Sequence, residues 1–104
     1  MERTTYKVGL SPDELNMFPL SHEKHLSTLD EVYDHCVFIT RELGAAMPIG
    51  RKGLLEGVEE QDEARATFVT LDFSEPEITR AIVIIFERGA RKANRNKRRA
   101  SRSA

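Results

Sequence analysis

The residue types best suited to metal binding stand close together in the first third of the chain. His22 and His25 are three positions apart, and His35 and Cys36 follow in the next segment. Zinc requires imidazoles and thiolates that converge on one point, and it uses a small number of recurrent spacings. These four residues match none of those spacings. We therefore expect a buried thiol, surface histidines, no metal and no other cofactor.

Two further features resemble a phosphate-binding loop and a catalytic carboxylate site only superficially. The stretch 50–53, GRKG, contains glycine and lysine as phosphate-binding loops do. It lacks the Gly-x-x-x-x-Gly-Lys-Ser/Thr spacing, and no predicted strand leads into it, so a turn is the better interpretation. The many carboxylates offer no identifiable pair of base and nucleophile. The sequence therefore predicts that the protein is not an enzyme.

A phenylalanine lies on a charged helix face. In a helix over residues 29–43, Phe38 points away from the apolar stripe that contains Leu29. Its helical neighbours at positions i−7, i−4, i+3 and i+4 are charged, namely Glu31, Asp34, Arg41 and Glu42. An aromatic residue surrounded by charge is typical of protein-binding hot spots, so these five residues are the predicted protein-binding surface. The alternative is a second layer of core, with the segment MPIGRKGLL folded over Phe38.

The most apolar run, IVIIF, lies within residues 78–89. Glu75, Pro76 and Glu77 precede it as a typical helix start, and apolar residues then recur at a helical period. Four β-branched residues in five also fit a strand that forms a hairpin with residues 66–73. Of the two, the helix is our prediction.

Such a helix is apolar nearly all round and must be buried nearly all round. We expect a second copy of the chain to cover it in a two-fold dimer. The alternative is coverage by the glycine-rich connector at 44–63. The predicted dimer interface is Ile82, Val83, Ile84 and Phe86.

Charge divides the chain into an acidic body and a basic tail. Residues 1–87 hold 8 Lys and Arg against 17 Asp and Glu, a balance of −9, whereas residues 88–104 hold 8 Lys and Arg and no acid. A segment of this composition favours weak contact with nucleic-acid phosphates without sequence preference. The alternatives are a solubilising tail or one that binds the acidic residues 56–63. The candidate phosphate contacts are Arg91, Lys92, Arg95, Lys97, Arg98, Arg99 and Arg102.

These candidates are positioned by few elements. Residues 5–10 alternate as a short strand, a brief helix follows Ser11, and PLSHEKHLS is a predicted loop. The capping-box pattern TLDE opens the helix over 29–43, and Gly44 ends it. Residues 44–63 form a predicted loop-rich connector, and residues 66–73 a second strand.

The predicted fold is a small α+β domain over residues 1–90, with a short strand pair packed against two main helices. Dimerisation completes it, and residues 91–104 form a flexible basic tail. No apolar run approaches the ~20 residues that span a bilayer, and a lone cysteine favours the cytoplasm. The leading hypothesis is a non-catalytic regulatory protein that inhibits or sequesters another protein, with a component of gene expression as the target. The alternative is direct DNA or RNA binding through the tail.

Overall fold

A computed structural model describes residues 3–88 of the chain. The four strands form one antiparallel sheet in the order β2-β1-β4-β3, and both helices pack against the same face of it. The α+β class is therefore confirmed, but with four strands rather than a strand pair. The elements are β1 (Thr4–Leu10), β2 (Ser21–Leu26), α1 (Leu29–Glu42), α2 (Arg51–Glu63), β3 (Phe68–Asp72) and β4 (Ala81–Arg88).

Strand β1 and helix α1 form where the sequence predicts them. The Thr28 hydroxyl accepts a hydrogen bond from the backbone N–H of Glu31, and the Glu31 carboxylate accepts one from the N–H of Thr28. These two bonds satisfy amide groups that have no partner within the helix. At the other end Gly44 has a φ of 67°, which glycine adopts without steric cost. Both predicted ends of α1 are therefore correct to within a residue.

The predicted helix over 78–89 is wrong, because residues 81–88 form β4, one of the two central strands. It pairs with β1 along one edge and with β3 along the other, as in the hairpin alternative. Both of its faces are covered, so the segment is apolar at successive positions instead of alternating. Pro76 opens a turn closed by a hydrogen bond from Ile78 N to Glu75 O, at 3.0 Å.

The dimer interface was predicted from the apolar surface of that helix, and the structure contains no such helix among residues 3–88. Ile82, Ile84 and Phe86 lie in the core beneath the helices, and Val83 is buried on the opposite face. The segment 11–17 lies beside Val83 on that face. All four residues are thus buried within one chain, and none is available to a second copy.

The connector predicted over 44–63 contains helix α2. Its Leu54 and Val58 are buried in the core one helical turn apart. The glycines that made the segment resemble a loop are tolerated, since Gly50 caps the helix and Gly53 and Gly57 lie inside it. Residues 50–53 therefore open α2 and are not a turn.

Two predictions for residues 11–27 are also wrong. No helix follows Ser11; residues 12–15 form a bend in which the Asp13 carboxylate accepts from the backbone N–H groups of Leu15 and Asn16, each at 2.8 Å. Such bonds stabilise a turn in competition with a helix. The predicted loop at 19–27 contains β2, which pairs with β1. Most of β2 is exposed, so it lacks the buried alternation that marks a strand.

The strand assignment of β4 predicts unequal effects for two adjacent isoleucines. Ile84 is fully buried in the core, whereas Ile85 is partly exposed on the other face. Ile84→Ala should lower the free energy of unfolding by about 2–5 kcal/mol, and Ile85→Ala by about 1 kcal/mol. Urea denaturation measures both. A larger loss at Ile85 than at Ile84 is the result that a helix predicts, and it would contradict β4.

Candidate protein-binding surface

Phe38 lies on the surface between α1 and β2. The buried side of α1 consists of Val32, Cys36, Ile39 and Thr40, and Phe38 lies outside this set with 48% of its surface exposed. The alternative of a second core layer does not hold. Met47 and Ile49, from the segment expected to cover Phe38, pack against the main core instead.

Two histidines hold the Phe38 ring in place. The His35 ring stacks on it with 5.7 Å between centroids and 12° between planes, and the His22 ring meets it edge-on at 5.9 Å. His35 Nε2 lies 2.6 Å from the carbonyl oxygen of His22. A carbonyl oxygen only accepts, so Nε2 carries a hydrogen and donates it. This bond joins α1 to β2 through the same two histidines that contact Phe38.

A groove with a volume of about 600 Å³ runs between α1 and β2 beside this cluster. Phe38, His22 and His35 form its aromatic part. The rest of its lining is predominantly charged or polar. These lining residues are Glu23, Lys24, His25, Leu26, Glu31 and Asp34.

The predicted surface residues are only partly brought together. Asp34 lines the groove with Phe38, and Glu42 lies close enough for its carboxylate to approach His22 Nε2, at 3.9 Å. Arg41 is exposed but does not line the groove. The residues from β2 were missed because that segment was predicted to be a loop.

Glu31 lines the groove but already has a structural role. Its carboxylate accepts hydrogen bonds from the backbone N–H groups of Ser27 and Thr28, at 3.0 and 3.1 Å. These bonds stabilise the charged form and hold the pKa of Glu31 below its usual range. A partner that contacts Glu31 therefore meets a carboxylate fixed in position by the helix cap.

Two observations concern metal binding and the reactivity of the thiol. Among residues 3–88, no three His, Cys, Asp or Glu side chains form a group that could hold a metal ion. Burial raises the pKa of the Cys36 thiol to about 12, because a thiolate is poorly solvated in the core. The thiol is therefore protonated at neutral pH and a poor nucleophile.

The two basic residues of GRKG sit at the start of α2. The Arg51 guanidinium forms an ion pair with Asp30 and lies 5.6 Å from the Tyr33 ring centroid. Arg51 thus links α2 to α1. Lys52 is exposed beside it.

The tail residues Arg91, Lys92, Arg95, Lys97, Arg98, Arg99 and Arg102 lie outside the described part of the chain, as does the predicted domain boundary at residue 90. Arg88, which precedes them, belongs to β4. Its Nε donates to Asp62 Oδ1 at 2.6 Å, and its guanidinium lies 4.7 Å from the Phe86 ring centroid. Arg88 is therefore part of the folded domain, where it contacts α2 and the Phe86 ring.

Neither α1 nor α2, the helices within residues 3–88, is long and apolar enough to cross a membrane.

No protein-family model, curated protein or solved structure matches this chain significantly.

Proposed function

We propose that this chain is a small non-catalytic regulatory protein that binds another protein through the surface between α1 and β2, and so inhibits or sequesters it. The observation that carries the proposal is the half-exposed Phe38 ring, held between His22 and His35 in a charged groove. The lone buried thiol of Cys36 favours action in the reducing cytoplasm.

The held ring supports a role as a binding anchor. Ordering a mobile side chain at an interface costs free energy, and a ring already packed between two others loses little freedom on binding. A large aromatic group with polar residues around it is the arrangement found at the centre of interfaces. The polar residues of the groove would surround the anchor in the bound state.

The charge of the groove indicates the kind of target. Glu23, Glu31 and Asp34 line it against one lysine, Lys24, and no arginine, and the whole segment 1–87 carries a balance of −9. An acidic surface favours encounter with a basic one. Proteins that bind nucleic acid present basic surfaces. A component of the gene-expression machinery is therefore the class of target that we propose.

The variant Phe38→Ala distinguishes a role of the ring in target binding from a role in folding stability. Phe38→Ala should weaken target binding by about 2 kcal/mol or more, with little change in the melting temperature because the ring is half-exposed. Leu15→Ala is the control, since Leu15 is the most exposed large apolar side chain described, at 89%. Both variants and the wild type are used to capture partners from the native host after nuclease treatment. Calorimetry then measures each affinity for the captured protein.

The expected target is captured by the wild type and by Leu15→Ala and is lost with Phe38→Ala. Equal affinities of the three proteins for that target would contradict the proposed anchor. A large drop in the melting temperature of Phe38→Ala would assign the ring to the folded core instead.

Direct binding of nucleic acid through the tail is the second candidate function. The charge of the tail favours it, because residues 89–104 contain seven Lys and Arg and no acid. Arg88 is already engaged with Asp62, so the phosphate contacts would come from the residues beyond it. The tail offers no aromatic ring on which bases could stack, and its binding would be insensitive to sequence.

The tail hypothesis predicts a defined dependence on salt. Replacing Arg98 and Arg99 together by Ala should weaken binding equally for all sequences. It should also flatten the salt dependence by about two phosphate contacts. Fluorescence anisotropy across a salt series measures both effects, with a chain ending at Ala90 as the control. If that shortened chain binds as tightly as the full chain, the tail does not carry the binding.

A further inference from the structure

The two edges of the sheet differ in how they are protected. The β2 edge, SHEKHL, carries charged and imidazole side chains and lies beside α1. The β3 edge, FVTLD, has no lysine, no proline and a single acid at its end. Natural proteins place charge or proline on a free edge to prevent pairing with another strand. Within residues 3–88, β3 pairs only with β4, so its second edge is open and unprotected.

The backbone groups on this open edge can be assigned. Phe86 N donates to Thr67 O at 3.0 Å, so Thr67 and Phe86 form a hydrogen-bonded pair of the antiparallel ladder. Such pairs alternate along an antiparallel ladder, which directs the amides of Val69 and Leu71 towards β4. The N–H and C=O groups of Phe68, Thr70 and Asp72 therefore point away from the sheet.

We propose that two copies of the chain pair through this edge, β3 against β3, in an antiparallel two-fold arrangement centred on Thr70. Thr70 lies opposite the partner's Thr70, and Phe68 lies opposite the partner's Asp72. Every outward N–H and C=O group then meets a partner, and no like charges face each other. The sheet becomes continuous across both chains.

The side chains fit the same register. On the helix side of the sheet, Val69 lies opposite the partner's Leu71, so the apolar layer continues across the interface. A groove of about 470 Å³ runs between α2 and β3 at this edge, and its α2 wall includes Gly53 and Gly57. The space beside Gly53 is filled by the Ile49 side chain, but a Cβ at Gly57 would meet nothing within 4 Å, so Gly57 leaves room for an apolar side chain from the partner.

Charge on α2 also favours a second copy. Lys52 is the exposed cation at its start, since Arg51 already pairs with Asp30, and its five acids all lie between residues 56 and 63. The two-fold axis makes α2 and its copy antiparallel on one side of the sheet. The basic end of each helix is then directed towards the acidic end of the other, which is complementary.

The chain's own residues 89–104 are a poorer occupant of the edge. They contain no apolar side chain larger than that of alanine, so they cannot continue the layer formed by Val69 and Leu71. The proposal also goes beyond the surface around Phe38, which lies by the opposite edge strand, β2. Failure of either idea leaves the other intact.

Single cysteines test the register in the full chain. Thr70→Cys places two thiols opposite each other with the α-carbons about 5.5 Å apart, within reach of a disulfide. Thr67→Cys is the matched control, because its two copies lie about 20 Å apart in the same register. Both threonines are exposed, and the native Cys36 is buried and does not compete. Mild oxidation followed by non-reducing electrophoresis measures the crosslink.

The expected result is a covalent dimer from Thr70→Cys only, together with a wild-type dimer in sedimentation equilibrium at micromolar concentration. Thr70→Lys should raise the dimer dissociation constant about tenfold or more by opposing like charges, and Thr67→Lys should change it much less. A monomeric wild type, or equal crosslinking of the two cysteine variants, would overturn the proposal.

Discussion

The pairing of β4 on both of its edges is the constraint on which the rest of the structure depends. β1 and β3 supply the neighbouring strands, the helices cover one face, and the segment 11–17 lies against the other. β1 begins at Thr4 and is paired there with Arg88, so the two ends of the described chain meet in the middle of the sheet. Closing so long a loop is costly before any contact forms. The sheet is therefore complete only once the chain through Arg88 has joined it.

The burial of β4 on both faces also explains why only part of the fold could be predicted from the sequence. α1 was readable because its cap and its apolar spacing are both local in sequence. β4 was not, since a strand covered on both faces loses the alternation that separates strand from helix. α2 was hidden by its glycines, which lower helix propensity but are tolerated where Leu54 and Val58 pack into the core. β2 was missed because most of its side chains are exposed, and its pairing with β1 is set by long-range contacts.

The candidate surface shows the same division between local and distant information. Phe38 could be found from α1 alone, because helix geometry places it opposite the buried stripe. The His22 ring that packs against it comes from β2, and no pattern within α1 predicts that neighbour. Helix geometry did place Glu31 near Phe38. It could not show whether the carboxylate mainly caps the helix or is free to contact a partner. The structure shows that its carboxylate is held by the helix cap, which leaves Asp34 as the freer acid in the groove.

The strand order gives these features a common arrangement. β2 and β3 are the two edges of one sheet, so the Phe38 surface and the unprotected β3 edge lie on opposite sides of the molecule. A dimer joined at β3 leaves both Phe38 surfaces at the far ends of the continuous sheet, pointing away from the interface. Two sites held rigidly apart gain from binding a target that is itself paired or repeated, because the second contact becomes intramolecular. They gain nothing on a target that offers only one site. For a paired or repeated target, the distance between the two Phe38 side chains of the dimer determines which assemblies the protein can bind tightly.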